Sequence, residues 1–511
     1  MYKIAITGFF GLLCLLIADK TIAQKHDNVW VGGFDEFNQV TGADNYLLHF
    51  DNGVPQVLPA DLGINFESTV ATFSDSSGQL VFVSNGCAIT MGDGTPLVDN
   101  YMEDLNGGEV RDMVCDATGY ISPRGGMFLP VPGKEKNFCH FLHMGMNYSA
   151  DRRLTYGPFY TTIVSTLGFN GVGQVVEKNR VLLDVSLNVQ VFIQKTYEPF
   201  SVVRHGNGRD WWIIVPEYRR NKYHVLLVSP NFYIEEKSVQ EIGPEMKCRR
   251  IGSSTFSKDG SKYARQQNCG VTVMDFNRCT GKFSNPLWLS LPGSTFPGGS
   301  VAISPDNSTI ITNSYLNIYK ANLSDVIPAF DTLNFQPPVT GITLNYFQEG
   351  PDGNLYFSSP QRETVMPVLR DPFSISPEYD VQSVLLPVPS VRSLPHFPNY
   401  RLYDFADSPC DTLGINTPVS APELIKDTPA FMVYPNPASD KLNIRITNSN
   451  WSGNKEYFIR ITNLLGKETL LQRFYADNYE INTTLWPVGV YFVTLLQGNN
   501  ILRTQKVIIQ K

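Results

Sequence analysis

Charge is scarce in this 511-residue sequence, where only 17% of residues are Asp, Glu, Lys or Arg. The 41 basic residues do not outnumber the 48 acidic ones, and the formal net charge is −7. A phosphate backbone calls for a basic face, so no nucleic-acid partner is expected. Beyond the N-terminus no apolar run approaches spanning length, and the mature protein reads as soluble. The familiar catalytic signatures are missing as well: there is no HExxH, GxSxG, Walker loop or Rossmann glycine pattern. Gly92-Asp-Gly94 and Gly171-Val-Gly173 are turn glycines, not phosphate cradles. No cysteine pair has CxxC spacing, which removes the common zinc and redox sites. Loops of the DxDxDG type are absent, which argues against a Ca²⁺-dependent adhesin. No cofactor and no metal are expected.

What the sequence does have is aromatic content (12%), 40 glycines and 34 prolines. Aromatics, Gly and Pro with few charges point to an all-β chain of short strands and many turns. At this length more than one domain is expected. The N-terminus carries Lys3, an apolar run from Ile4 to Ala18, and the small-residue site Thr21-Ile22-Ala23. That is the layout of a cleaved signal peptide over residues 1–23, leaving Gln24 first. The rival is a lipoprotein anchored through Cys14, with Leu13 where a small residue belongs. Seven cysteines then remain: Cys87, Cys115, Cys139, Cys248, Cys269, Cys279 and Cys410. Export permits disulfides, and an odd count leaves at least one thiol unpaired. The expected pairs are Cys87 with Cys115 and Cys279 with Cys410, although connectivity does not follow from sequence. Buried free thiols are the alternative.

Four segments repeat one design: a strand end, a tight Asp/Gly/Asn turn, and a new apolar strand. They begin at Phe73, Phe256, Ile303 and Glu349. Asp and Asn cap such turns and Gly supplies the positive φ. Asp259, Asp306 and Asp352 are spaced by 47 and 46 residues, the blade period of a propeller. Weaker copies lie at Pro132-Gly-Lys-Glu-Lys-Asn137, at His205-Gly-Asn-Gly-Arg-Asp210, and near Trp30. The centres fall near residues 30, 80, 138, 212, 262, 309 and 355, which counts seven blades, with six or eight still open. The long interval from 138 to 212 is expected to hold extended loops, around Asn147–Thr155 and Lys178–Lys195. The first blade lacks an innermost strand, and Tyr400-Arg-Leu-Tyr-Asp-Phe405 is the candidate to complete it and close the ring.

Residues 411–430 carry Thr, Pro and Ser without period and read as a linker. Patterning resumes at Phe431. Leu442, Ile444 and Ile446 share one face of a strand, and Gln497-Gly-Asn-Asn500 reads as a hairpin turn. Residues 431–511 therefore form a small Ig-like β-sandwich of about seven strands. Within it stand Tyr434-Pro-Asn-Pro437, Lys441-Leu-Asn-Ile444, Asn463-Leu-Leu-Gly-Lys467, Leu485-Trp-Pro-Val-Gly-Val-Tyr-Phe492 and Gln505-Lys-Val-Ile508. In this order at the C-terminus they resemble the type A sorting domain of the type IX secretion system of Bacteroidetes. The resemblance covers about 80 residues. It implies Tyr434, Pro435, Asn436, Pro437, Gly466, Gly489, Tyr491 and Lys506 as sorting-signal residues. It further implies recognition by the outer-membrane translocon, tail removal, and release or attachment to surface lipopolysaccharide. Pro435 and Pro437 fix an extended lead-in that cannot pair as a central strand, and Gly489 permits a turn. The body, residues 24–410, is more loosely similar to uncharacterised propeller-like proteins (WD40/YVTN-like blades) joined to such tails. The segments that carry this are Ser84-Asn-Gly-Cys87, His205 to Trp212, Asp275 to Gly281 and Pro395 to Arg401.

Four places in the body invite a chemical reading. His140 and His143 fall on opposite faces of one strand, which opposes a shared metal. The recurring Asp259, Asp306 and Asp352 are turn caps before they are catalysts. In Arg204-His-Gly-Asn-Gly-Arg-Asp-Trp-Trp212, His205 and Asp210 could act as acid and base while Arg209 grips an anion. The paired tryptophans could stack on sugar rings. The structural reading is preferred: hydrogen bonds to neighbouring strands, and tryptophans alternating between blade interfaces. Arg124, on a glycine-flanked loop, either reaches the central channel or buttresses a turn, and the second is preferred. Two functions follow. One is a secreted or surface binding or scaffold protein with an unidentified glycan or protein ligand. The other is an extracellular carbohydrate-active hydrolase or lyase with carboxylates at the channel mouth.

Overall fold

Asp259 shows how the recurring turn is built. Its Oδ1 accepts from the Ser261 backbone N–H at 3.0 Å and from the Ser257 hydroxyl at 2.6 Å. Gly260 beside it sits at φ 71°, a left-handed conformation that glycine adopts freely. Asp75, Asp306 and Asp352 accept the equivalent backbone bond from Ser77, Ser308 and Asn354. In the turn at Asp306, Asn307 takes the left-handed position at φ 62°, which its short polar side chain tolerates. Each of these turns joins the first strand of a small sheet to the second.

A computed structural model describes residues 24–33, 44–50, 55–115, 119–148, 154–168, 171–185, 187–188, 193–194, 196–245, 251–292, 299–333, 343–361, 363–390, 392–406, 408–413, 430–447, 457–463, 467–474, 478–497 and 500–510. The expected signal peptide, Cys14, Cys248, Gly466 and most of the expected linker lie outside them. The chain divides into two compact units, Met1–Asn416 and Thr417–Lys511. Among the described residues no helix is long and apolar enough to cross a membrane.

Among its described residues the first unit is all-β apart from one short helix, Glu109–Val114. Its sheets follow one another along the chain, each an antiparallel meander. Sheet A holds Val29–Gly32, Asn45–His49 and Gln56–Ala60. Sheet B holds Ala71–Ser74, Leu80–Ser84 and Ile89–Met91. Sheet C holds Gly126–Pro130, Phe138–Tyr148, Leu154–Ser165 and Gln174–Leu183. Sheet D holds Ser201–Arg204, Trp211–Pro216, Lys222–Ser229 and Tyr233–Glu241. Sheet E holds Ile251–Phe256, Lys262–Gln267, Gly270–Asn277 and Lys282–Ser290. Sheet F holds Val301–Ile303, Thr309–Asn313, Ile318–Asn322 and Asp331–Thr332. Sheet G holds Phe347–Glu349, Leu355–Phe357, Val365–Arg370 and Glu378–Leu385. A two-stranded ribbon, Leu187–Asn188 with Ile193–Gln194, stands apart.

Neighbouring sheets share their apolar cores. Val31 of sheet A packs with Val83 of B, and Phe82 of B with Phe128 and Phe141 of C. Leu142 of C meets Trp211 of D, and Trp212 of D meets Tyr263 of E. Val271 of E meets Ile310 of F, and Ile311 of F meets Leu355 of G. The last seam returns to the first sheet, with Tyr356, Met366 and Val368 of G packing on Trp30, Tyr46 and Leu48 of A. Each large side chain buried this way contributes roughly 1.5–3 kcal/mol. The alternation expected for the two tryptophans is visible here. Trp211 faces one seam and Trp212 the next, and both are buried, so neither offers a face to a sugar ring.

Two expectations need correction. Residues 400–405 form no strand and pair with no strand of sheet A. Sheet A has three strands where sheets C to G have four, and the C-terminal segment does not supply a fourth. The polar groups of that segment are engaged elsewhere. The Tyr400 hydroxyl donates to the Phe128 carbonyl at 2.8 Å, and the Phe405 N–H to the Gly206 carbonyl at 2.7 Å. The tie to the start of the body is ionic, since both terminal nitrogens of Arg401 donate to Asp27 at 2.7 Å. The long interval after residue 138 is also not chiefly loop. It is filled by unusually long strands in sheet C, of 11 and 12 residues. Tyr148 and Thr155 lie within them, paired with Leu154 and Asn147.

Disulfides join Cys87 to Cys115 and Cys279 to Cys410. Cys269 is disulfide-bonded as well. Cys139 is a free thiol, fully buried, and burial raises its pKa well above the ordinary value.

The second unit is a sandwich of two sheets. One holds Ala430–Tyr434, Lys441–Thr447 and Asn478–Asn482; the other holds Tyr457–Asn463, Glu468–Phe474, Gly489–Gln497 and Asn500–Ile509. Leu442 and Ile444 of the first pack against Ile459, Ile461, Val493, Leu495 and Val507 of the second. The first strand stops at Tyr434, immediately before Pro435, as a residue without an N–H requires.

Candidate functional site

The first strands of sheets D, E, F and G line a cavity of about 370 Å³ in the first unit. Arg124, just ahead of sheet C, with residues 396–399 and Arg401, completes its wall. At its mouth, two carboxylates are each held by a cation. Asp27 is clasped by Arg401, and Glu349 lies 2.6 Å from the Lys258 ammonium. Burial raises the Glu349 pKa, and Lys258 pulls it back down.

The inner wall differs because its cation has no counter-charge among the described residues. Ser122-Pro-Arg-Gly-Gly126 folds into a turn closed by the Gly125 N–H on the Ser122 carbonyl at 3.0 Å. Arg124 sits in it at φ 53°, where a side chain larger than glycine is strained. Its guanidinium crosses to donate to the Phe347 carbonyl on sheet G and lies 5.8 Å from the centre of the Tyr346 ring. Its Nε has no partner. Arg124 is 6% exposed, and burial pushes its pKa down to about 10, which still leaves it charged at neutral pH. His396 lines the same cavity and is 5% exposed, and neither ring nitrogen makes a hydrogen bond of ordinary geometry. Burial and the Arg124 charge hold its pKa well below the usual range, against a weak opposite pull from the Phe200 backbone. Arg124 thus lines the cavity, and its guanidinium bonds sheet G and not its own turn.

His205, Arg209 and Asp210 do come together, but outside this cavity. They form the first-to-second-strand turn of sheet D, where Asn207 stands in for the usual aspartate. Asn207 Oδ1 accepts from the N–H groups of Arg209 and Asp210 at 3.0 Å. Arg209 makes a forked pair with Asp210 at 2.7 and 3.1 Å. The Asn207 amide also donates to Asp210, and His205 Nδ1 accepts from the Asn207 N–H. His205 is half-buried beside Trp212, and burial lowers its pKa. With Asp210 and Arg209 committed to each other, the geometry is that of a turn lock. His140 and His143 likewise make structural bonds on opposite faces: His140 Nδ1 lies 3.1 Å from the Thr161 hydroxyl, and His143 lies 2.6 Å from Asn106 Oδ1 and 2.9 Å from the Thr162 hydroxyl.

Sequence reasoning missed Asp27, Lys258, Glu349, His396 and Arg401 as site residues. One signal was in plain view. Pro395-His-Phe-Pro-Asn-Tyr-Arg401 places two prolines around a histidine and a phenylalanine, a stiff segment that no sheet accommodates.

In the second unit, Asn436 explains why its motif is rigid. Its amide donates to the Lys506 carbonyl at 2.9 Å and accepts from the Ile508 N–H at 2.9 Å, so one side chain extends the ladder along the last strand. The Tyr491 hydroxyl donates to the Pro487 carbonyl at 3.0 Å, with Trp486 packed 5.1 Å from its ring. Gly489 is not in a turn. It opens the strand Gly489–Gln497 opposite Ile509, and an added Cβ would meet nothing closer than 4.0 Å. Tyr434, Leu485 and Val488 are exposed, as is Lys506.

Residues 432–510 match the secretion system C-terminal sorting domain. The chain is therefore exported, to the cell surface or the medium, by the type IX secretion machinery. None of the curated proteins matches the chain. Solved structures resemble it at low identity. A 6-phosphogluconolactonase-like protein from Bacteroides uniformis has 12% identity, covering 71% of this chain and 97% of its own, with a TM-score of 0.45. The periplasmic gluconolactonase of Pseudomonas aeruginosa has 16% identity, covering 72% and 98%, with a TM-score of 0.40. PorZ, a surface component of the type IX secretion system of Porphyromonas gingivalis, has 10% identity, covering 91% and 73%, with a TM-score of 0.31.

Proposed function

We propose that residues 24–410 form a seven-bladed β-propeller that binds a small ligand in its centre, and that residues 431–511 are the sorting domain that exports it. The supporting observation is the sequence of seams: sheets A to G each share a core with the next, and G shares one with A. A ring of blades brings the first strands together around an axis, and the cavity is lined by such strands. Residues 411–430 are the linker, and residues 1–23 are the signal peptide. The translocon is the partner of the sorting domain, and surface lipopolysaccharide is the attachment point after the tail is removed.

Binding is favoured over catalysis because both mouth carboxylates are neutralised by cations. One observation favours the second reading, an extracellular carbohydrate-active hydrolase or lyase: Glu349 is half-buried and its pKa is raised, as a general acid requires. The discriminating experiment incubates the full-length protein on a glycan array while reducing ends released into solution are counted. Saturable retention without new reducing ends is expected. Release that disappears in Glu349→Gln would replace the binding reading with the hydrolase.

A further inference from the structure

We infer that the inner wall of the cavity is a carboxylate-binding subsite, so that the ligand is a small hydroxylated organic acid. The inference rests on the reading of the cavity as a ligand site and says which end of the ligand goes where. A buried guanidinium normally faces a carboxylate, because an unpaired charge out of water is costly. Among the described residues four arginines are buried: Arg265 has Glu198, whereas Arg124, Arg204 and Arg278 bond only neutral groups, and of these three Arg124 is the one that lines the cavity. Its guanidinium donates to the neutral Phe347 carbonyl, and its Nε has no partner.

A second group points the same way. His396 lines the same cavity, its ring nitrogens make no hydrogen bond of ordinary geometry, and it feels the Arg124 charge, which helps keep it neutral. A neutral imidazole still carries one N–H donor. Arg124 and His396 together offer a charged fork and a neutral donor at one cavity wall. That set fits a carboxylate, whose two oxygens accept from a guanidinium in plane.

The rest of the lining selects what is attached to the carboxylate. Ser254, Gln348 and the two mouth ion pairs line the path outward from Arg124. Hydroxyls and fixed charges of both signs favour a polyol chain over an aliphatic one. A cavity of about 370 Å³ suits a single monosaccharide-sized acid.

Crystals of the full-length protein soaked separately in sodium bromide, galacturonate and galactose test this directly. The expected result is a bromide ion at Arg124 and His396, displaced by galacturonate and not by galactose. In solution, galacturonate should bind at least tenfold more weakly to Arg124→Gln than to the unaltered protein. Because the Phe347 contact is also lost in that variant, its thermal melting is measured alongside, and His396→Phe serves as a second variant that leaves that contact in place. The inference is overturned if bromide leaves the site empty, if galactose occupies it as galacturonate does, or if folded variants bind unchanged. Turnover of a bound acid would instead overturn the binding reading and leave the subsite standing.

Discussion

Arg265→Ala is expected to destabilise the first unit by about 3–5 kcal/mol, the cost of orphaning a buried charge. Arg265 and Glu198 are 1% and 3% exposed at the side chain and meet at 2.7 Å. The remaining nitrogens of Arg265 donate to the Arg220 and Glu217 carbonyls at 2.8 Å, and the Gln267 amide donates to the other oxygen of Glu198. Burial alone would lower the pKa of Arg265, but the Glu198 charge overrides it and raises it. The guanidinium therefore rivets sheet E to the segment before the first strand of sheet D and to the turn that follows its second strand. Removing it strands Glu198 in a dry site and frees two carbonyls. Urea unfolding followed by tryptophan fluorescence measures the effect. Adding Glu198→Gln to Arg265→Ala should recover part of the loss, because the unpaired charge is then gone. A loss below about 1 kcal/mol in the single variant would show that the pair contributes no more than an exposed one.

Acid should weaken the first unit well before its carboxylates are protonated. Burial pushes His140 and His143 down to about 3, with the Arg180 and Lys178 charges adding to the effect. His396 is held well below the usual range for the same principal reason. In the folded state these rings stay neutral as the pH falls. In the unfolded chain they take up protons below about 6.5, so acid favours unfolding. Their contribution is intact above pH 6.5 and is lost between there and about 3. Each histidine costs about 1.4 kcal/mol per pH unit over that window, so His140 and His143 together remove about 4 kcal/mol by pH 5. Urea midpoints at pH 7.5 and pH 5.0 measure this, and His140→Gln should flatten the dependence. An unchanged midpoint would contradict the burial assigned to these rings.

What was legible in the sequence is what local hydrogen bonding dictates. The turn at Asp259 is readable because the aspartate bonds residues two positions away on either side. Six of the seven turn-and-strand positions fall at the start of a second strand for that reason. The alternation of Trp211 and Trp212 is readable because strand side chains alternate by geometry. The second unit was legible from its motif, and its two-sheet core follows the period-two pattern of Leu442 and Ile444. The cavity was not legible. Its walls come from separate sheets, and no local spacing encodes their convergence. Arg124 could be singled out for its glycine-flanked turn, but its acceptor, Phe347, lies 223 residues away. The segment at 400–405 was misread as a strand because its aromatic alternation is real, while its Tyr400 and Tyr403 carbonyls accept from Arg204 and Arg278 and its Phe405 N–H donates to the Gly206 carbonyl.

The account depends most on the division of labour between a body that binds and a tail that exports it. Fractionation of a bacterium carrying the type IX machinery and expressing this chain tests that division directly. The expected result is a body shortened at its C-terminus on the cell surface or in the medium, and retention in the periplasm once residues 432–510 are deleted. Full-length protein confined to the periplasm, or export that survives the deletion, would contradict it.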